Sequence, residues 1–342
     1  MVGSREAASS RSRKILVVAP AWVGDMVMAH CLVQLLLDGN SQLEIDMLSP
    51  PATEPLAQRR PGVARSWLLE VGHGELGLRK RLAVGRRLVN EGYDQAIVLP
   101  NSFKSALVPF WARIPDRVGW LGECRVGLLN GWRRLDPERY PLMIERFMAL
   151  ALPASAVLPK PYPAPRLRVD AGNRDRLIRE HQLATSGGVL ALCPGAEFGP
   201  AKRWPAQHFA TLARHAVAQG KQVWLLGSAG DRAICNEIES QVAAGCVNLA
   251  GRTRLVDAID LLSLAGHVVC NDSGLMHVAS ALDVPTTALF GSTSPDFTPP
   301  LGREARVLSL KLPCSPCFQR ECPLGHLRCL TELRPERVIE QL

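Results

Sequence analysis

The chain has 342 residues, 47% hydrophobic and 21% charged, with a formal net charge of +8. At roughly 100–200 residues per domain, that length implies two domains, each large enough to bury a core. No apolar run approaches the roughly 18 uncharged residues that a membrane span needs, and residues 1–13 are polar, rich in Ser and Arg, and without the apolar segment of a secretory signal. The expectation is a soluble, non-exported protein with a disordered N-terminal tail.

An apolar run at 14–19 reads as a buried strand, and 25–37 has helical periodicity. Strands follow at 43–48, 67–71, 94–99 and 117–120, alternating with helices at 54–59, 75–90 and 103–111. Alternation of apolar strands with helices implies a parallel sheet covered on both faces. Pro153, Pro159, Pro161, Pro163 and Pro165 then exclude a helix or a central strand, which marks a linker between domains. The alternation restarts with strands at 189–193, 222–226, 246–249, 268–270 and 286–290, and helices at 206–218, 231–242, 255–264 and 274–282. The expected fold class is α/β: two doubly wound Rossmann-like domains, 14–165 and 166–342, facing a cleft, with a C-terminal helix able to cross back.

In open parallel sheets, ligands sit beyond the carboxyl ends of the strands. Three loops with unusual composition stand there: 20–25, 193–205 and 271–277. No Gly-x-Gly-x-x-Gly follows the first strand and no Gly-x4-Gly-Lys-Ser/Thr occurs, which argues against an NAD enzyme and a P-loop NTPase. Asn271-Asp272-Ser273-Gly274 lies between a strand and a helix, so it directs free backbone N–H groups and the positive helix end at an anion. Ser273 or Asp272 can cap that helix, and Gly274 lets a ligand approach the backbone. His277, one turn in, is either a phosphate contact or a core residue.

Lys202, in the loop Gly195-Ala-Glu197-Phe-Gly-Pro-Ala-Lys202-Arg-Trp-Pro205, can reach a diphosphate and offset the charge of a departing nucleotide; the alternative is a surface lysine. Two anion-seeking turns in one half point to a nucleotide diphosphate. Glu197 either holds a sugar or ribose hydroxyl or pairs with Arg203. Asp231 either reads ribose hydroxyls or caps a helix. Trp204 and His30 read as packing residues. Asp25, at the start of the first helix, either complements the helix dipole or acts as a general base on an acceptor hydroxyl.

The whole positive excess falls in residues 1–168, whereas 169–342 balance. Its clusters, Arg79-Lys80-Arg81, Arg86-Arg87 and Arg133-Arg134, are either solvated helix faces or a surface for an anionic partner. They lack interleaved aromatic residues, which argues against nucleic acid. Most of the ten cysteines are scattered in apolar contexts, as suits reduced buried thiols. Cys314, Cys317, Cys322 and Cys329, with His326 among them, have the spacing of a zinc site; a disulfide framework and a compact loop of reduced thiols are the other readings.

Gly24-Asp25 after the first strand, the 195–205 and 271–277 motifs and the cysteine segment together resemble the bacterial lipopolysaccharide heptosyltransferases of glycosyltransferase family 9. The resemblance covers nearly the whole chain from about residue 14, and the Gly-Ala-Glu-Phe-Gly-Pro-Ala form and the cysteine segment point to members that add the second heptose. It implies the two-domain GT-B fold and an inverting glycosyltransferase that moves L-glycero-D-manno-heptose from ADP-heptose to the first heptose of the lipopolysaccharide inner core. A member adding the first or a later core heptose is the alternative. No catalytic metal and no cofactor are implied. Asp25 and Lys202 would be catalytic, with Asp25 the base. Gly195, Glu197, Lys202, Asp231, Asp272, Ser273, Gly274, Leu275 and His277 would hold the donor, and Trp22 and Gly24 the acceptor. The basic half would meet the phosphorylated lipid A-core acceptor at the anionic cytoplasmic face of the inner membrane, as a peripheral protein.

Overall fold

The structure, a computed structural model, describes residues 12–342 except 73 and 243. Most of the expected disordered tail lies outside the described residues. Two six-stranded, wholly parallel sheets organise the chain. The first contains β1 (Lys14–Val18), β2 (Glu44–Ser49), β3 (Arg65–Leu68), β4 (Gln95–Val98), β5 (Asp116–Trp120) and β6 (Gly131–Arg133), in the order β3-β2-β1-β4-β5-β6. The second contains β7 (Val189–Cys193), β8 (Gln222–Leu225), β9 (Cys246–Asn248), β10 (His267–Asn271), β11 (Thr286–Leu289) and β12 (Ala305–Leu308), in the order β12-β11-β10-β7-β8-β9. Every residue of β1 and β7 is buried, so neither strand alternates in sequence.

Around the first sheet lie helices α1 (Val23–Met28), α2 (His30–Gly39), α3 (Glu54–Gln58), α4 (Leu78–Leu88), α5 (Leu107–Trp111) and α6 (Met143–Ala151). The second sheet carries α7 (Ala171–Glu180), α8 (Ala206–Ala218), α9 (Arg232–Ser240), α10 (Leu255–Leu262), α11 (Gly274–Ala281), α12 (Arg328–Thr331) and α13 (Pro335–Ile339). The helix expected over 25–37 starts earlier and breaks into α1 and α2 at Ala29, where ψ of −13° tightens the turn. The helix expected from 75 begins at Leu78 instead, because the Glu75 carboxylate accepts the Gly72 N–H at 2.8 Å and Gly77 turns left-handed at φ +54°. β3 begins at Arg65, ahead of the expected 67. β6, α6, α7, β12 and α12 had no expectation in the sequence.

The proline-rich stretch has no helix or strand between α6 and α7, but it is not a free linker. The Arg166 N–H donates to His30 Nδ1 at 2.9 Å and the Arg168 N–H to the Arg59 carbonyl at 2.7 Å, and Tyr162 bonds Glu145. The C-terminal helix stays with the second sheet: α13 packs on α8, and Leu333 and Val338 join Trp204 and Phe209 in one apolar cluster. The two halves meet where α1 packs on α11, and Met26, Val27, Met276 and Val278 belong to one continuous core. No helix among the described residues is long and apolar enough to cross a membrane.

Candidate active site

The second sheet reverses its strand order between β7 and β10, which pair with Cys193 opposite Cys270. Their carboxyl ends therefore place the 194–203 and 271–274 loops side by side, at the switch point where open sheets bind ligands. Asn271 ties the two together. Its buried side chain accepts the Trp204 N–H at 3.0 Å and donates to the Pro194 carbonyl at 2.7 Å. The fully buried Trp204 indole donates to the Leu333 carbonyl at 2.7 Å, so packing is its observed role.

Lys202, held between these staples, places Nζ 2.6 Å from Asp272 Oδ2 and 5.0 Å from the centre of the Phe198 ring. Thr293, on the loop after β11, donates its hydroxyl to the same Asp272 oxygen at 2.5 Å. Asp272 thus spends its carboxylate on a cation and a hydroxyl, and does not cap α11. Ser273 occupies the N-cap position with φ −148° and ψ 172°, yet its side chain makes no capping bond either. For Asp272 the reason is that its charged partner outbids the helix N–H groups. The N-terminus of α11, with Ser273, Gly274 and Leu275 half-buried around it, keeps its anion-attracting end open.

The first half brings Asp25 to the same place. It lies in the first turn of α1. Burial pushes its carboxyl up to about 6, against the lowering effect of the Lys202 charge. One lysine therefore acts on two carboxylates from opposite halves. The close approach is made by two glycines: a Cβ on Gly24 would lie 2.8 Å from His277 Cδ2, and one on Gly274 2.7 Å from Val23 Cβ. His277 is 5% exposed, and burial drives its imidazole down to about 4, so it is neutral at this seam. Trp22, at the N-cap position of α1, exposes 44% of its surface at the rim.

Asp231 sits over the loop after β7: a Cβ on Gly195 would meet its carboxyl carbon at 2.3 Å, and one on Gly227 its Cβ at 2.9 Å. Its carboxylate accepts the Ser228 N–H at 2.9 Å and the Ser228 hydroxyl at 2.7 Å, which ties it into the turn that opens α9. Glu197 is exposed, and Arg203 donates to the Ala196 carbonyl at 3.3 Å instead of pairing with Glu197. Sequence reasoning missed Thr293, whose signal is Gly291-Ser-Thr directly after a strand. It also missed Arg125, fully buried and donating to the Pro100 carbonyl at 2.6 Å and to Asn101 Oδ1 at 3.3 Å, where it shapes the loop after β4. The basic clusters are only partly surface. Arg81 is buried and donates to the Leu76 carbonyl at 2.7 Å, and Arg133 donates to the Ala149 carbonyl at 2.6 Å, whereas Arg79, Lys80, Arg86 and Arg87 are exposed.

Comparison with known proteins gives a consistent result. The model of glycosyltransferase family 9 (heptosyltransferase) matches residues 81–328. Lipopolysaccharide heptosyltransferase 2 of Salmonella typhimurium is 45% identical over 338 residues, covering 96% of this chain and 97% of that protein. Lipooligosaccharide heptosyltransferase 2 of Haemophilus ducreyi is 40% identical over 348 residues, covering 96% and 98%. The structure of Escherichia coli ADP-heptose lipopolysaccharide heptosyltransferase II superposes with a TM-score of 0.86 at 43% identity, over 96% of this chain and 97% of that one.

Proposed function

Because this chain belongs to glycosyltransferase family 9, the heptosyltransferases, we propose that it transfers L-glycero-D-manno-heptose from ADP-heptose, with inversion, to the first heptose of the lipopolysaccharide inner core. The observation that carries this reading is the convergence of Asp25 from one half with Lys202, Asp272 and the open α11 N-terminus from the other. It supplies a base on one side of a reacting carbon and a place for a departing diphosphate on the other.

In this reaction Asp25 takes the proton of the acceptor hydroxyl while the oxygen attacks the anomeric carbon. The bond from that carbon to the diphosphate breaks on the opposite face, and ADP leaves with the electron pair. With its carboxyl near 6, Asp25 is roughly nine-tenths ionised at pH 7 and still basic enough to accept a proton. The negative charge that grows on the diphosphate is met by Lys202 and by the N–H groups of Gly274 and Leu275, already oriented before the reaction begins. Asp272 and Thr293 hold Lys202 in place. Gly195 makes room for Asp231 beside the donor, Glu197 and Asp231 take hydroxyls of the sugar and ribose, and His277 supports the donor phosphates from the buried side. Trp22 and Gly24 face the acceptor.

The exposed Arg79, Lys80, Arg86 and Arg87 around α4, beside exposed Leu76 and Leu78, suit peripheral attachment to the anionic cytoplasmic face of the inner membrane. Each basic residue near such a surface contributes roughly 1 kcal/mol.

The test is heptose transfer from ADP-heptose to Kdo-lipid A and to the same acceptor already carrying one heptose, with EDTA added at the start. Transfer only to the heptosylated acceptor supports the reading. Transfer to the unheptosylated acceptor reassigns the enzyme to the first heptose, and transfer to neither overturns the donor assignment.

A further inference from the structure

Residues 312–327 run from β12 to α12 with neither helix nor strand, yet they lie against both loops that build the site. Cys314, Cys317, Cys322 and Cys329, with His326, line one small cavity of about 20 Å³. All four thiols are free, and none is fully buried. The backbone around them is bent in a way that serves a sulfur. Phe318, directly after Cys317, takes φ +56°, and Gly325 and Leu327, after Cys322, take φ +70° and +49°. Backbone N–H groups of this turn, that of Leu327 first, bias the Cys322 thiol toward its thiolate. A non-glycine residue in that region is strained unless its surroundings require it. Phe318 directly follows Cys317, and Gly325 and Leu327 fall between Cys322 and Cys329. His326 has its Nδ1 engaged, accepting the Arg328 N–H at 3.0 Å.

We propose that Cys314, Cys317, Cys322 and Cys329 bind one thiophilic transition-metal ion as a closed four-thiolate site, with zinc the simplest occupant. Four sulfurs in a tetrahedron are the preference of zinc or iron, and a site without an open position is structural. Among the described residues no three potential ligands already stand as a metal site, so side-chain rotations must close the thiols onto the ion. Binding releases the thiol protons, which makes affinity fall with acidity. The ion would brace the transferase site from behind. The Ala201 N–H donates to the Arg320 carbonyl at 3.1 Å, and a Cβ on Gly199 would lie 2.5 Å from that same oxygen. The Phe318 N–H donates to the Ser292 carbonyl at 2.7 Å, and the Ser315 hydroxyl to that of Gly291. The thiol loop therefore clasps the turns that carry Lys202 and Thr293, the two partners of Asp272.

The test is metal analysis of the full chain purified without chelator, followed by replacement of the bound ion with Co²⁺. The expected result is about one zinc or iron per chain, thiolate-to-cobalt charge-transfer bands with a tetrahedral d–d envelope, and loss of both in Cys317→Ser/Cys329→Ser. If that double variant fails to fold, the cobalt spectrum of the unaltered protein still decides. No stoichiometric metal and no cobalt–thiolate bands in reduced protein would overturn the proposal. So would disulfides among the four cysteines, or undiminished metal in a folded double variant.

Discussion

Lys202 is the residue on which both halves of the site converge, and Lys202→Met separates its roles. The ammonium stands 2.6 Å from Asp272, with side-chain exposures of 14% and 7%, so the substitution leaves a nearly buried carboxylate with Thr293 as its remaining partner. Breaking a buried pair from one side costs about 3–5 kcal/mol; the residual exposure and the Thr293 hydroxyl place this case near the lower end, about 3 kcal/mol. At roughly 2–4 °C per kcal/mol for a chain of this size, the midpoint of thermal unfolding should fall by about 6–12 °C. Loss of a preorganised charge opposite the leaving diphosphate should lower kcat by roughly 10²–10³. The diagnostic effect is on Asp25. Its carboxyl is raised to about 6 by burial while Lys202 holds it down, so removing the lysine lifts it further. The acid limb of kcat/KM, centred near pH 6 in the unaltered enzyme, should move to higher pH in Lys202→Met. ADP release measured between about pH 5 and pH 8.5 reads that limb directly. An acid limb that stays in place while the rate collapses would refute the coupling of Lys202 to Asp25, and with it the claim that the two halves share one catalytic centre.

Asp25→Asn should lower kcat by roughly 10²–10⁴ while calorimetric ADP affinity stays within about twofold, and it should abolish the acid limb; near-normal turnover would remove Asp25 from the role of base. Gly24→Ala drives a Cβ to 2.8 Å from the buried His277 ring, so a loss of about 1–3 kcal/mol in denaturant unfolding is expected, together with a fall in kcat/KM as α1 shifts from α11; a silent substitution would mean that this contact is soft. Burial and the nearby Arg60 charge push His30 down to about 4 from an unfolded value near 6.5. Its contribution is therefore complete above pH 6.5 and is lost as pH falls toward 4, by roughly 3 kcal/mol in all. Urea unfolding of His30→Gln should be flatter over that window than that of the unaltered chain, and identical slopes would contradict the assignment.

The parts of the fold that could be read from sequence share a physical cause. β1 and β7 are buried on both faces, so apart from Lys14 their sequences are unbroken apolar runs, and the loops behind them carry the site motifs. α7 escaped notice because it buries only Leu177 along its length; it is set off by a local bond, Asp170 accepting the Asn173 N–H at 3.0 Å, instead of by an apolar stripe. β6 has only three residues, too few for any periodicity to register. The site divides in the same way. Lys202, Asp272 and Gly274 each announce themselves through local composition, but the bond between Lys202 and Asp272 spans 70 positions and follows from the pairing of β7 with β10.

That long-range bond also explains why the local capping rule fails at Asp272. A side-chain cap would be worth about 1 kcal/mol to α11, but it would occupy the N–H groups that an anion needs. The chain forgoes that stabilisation and holds Asp272 with a lysine and a threonine brought in from other strands. A violated local rule beside a satisfied distant one is the pattern expected where binding, and not folding, sets the side chains. On that argument Thr293, missed in the sequence, belongs with Lys202. Thr293→Val should leave the helix intact and weaken ADP binding by loosening the lysine, and unchanged ADP affinity in a titration would show that Asp272 alone suffices to place it.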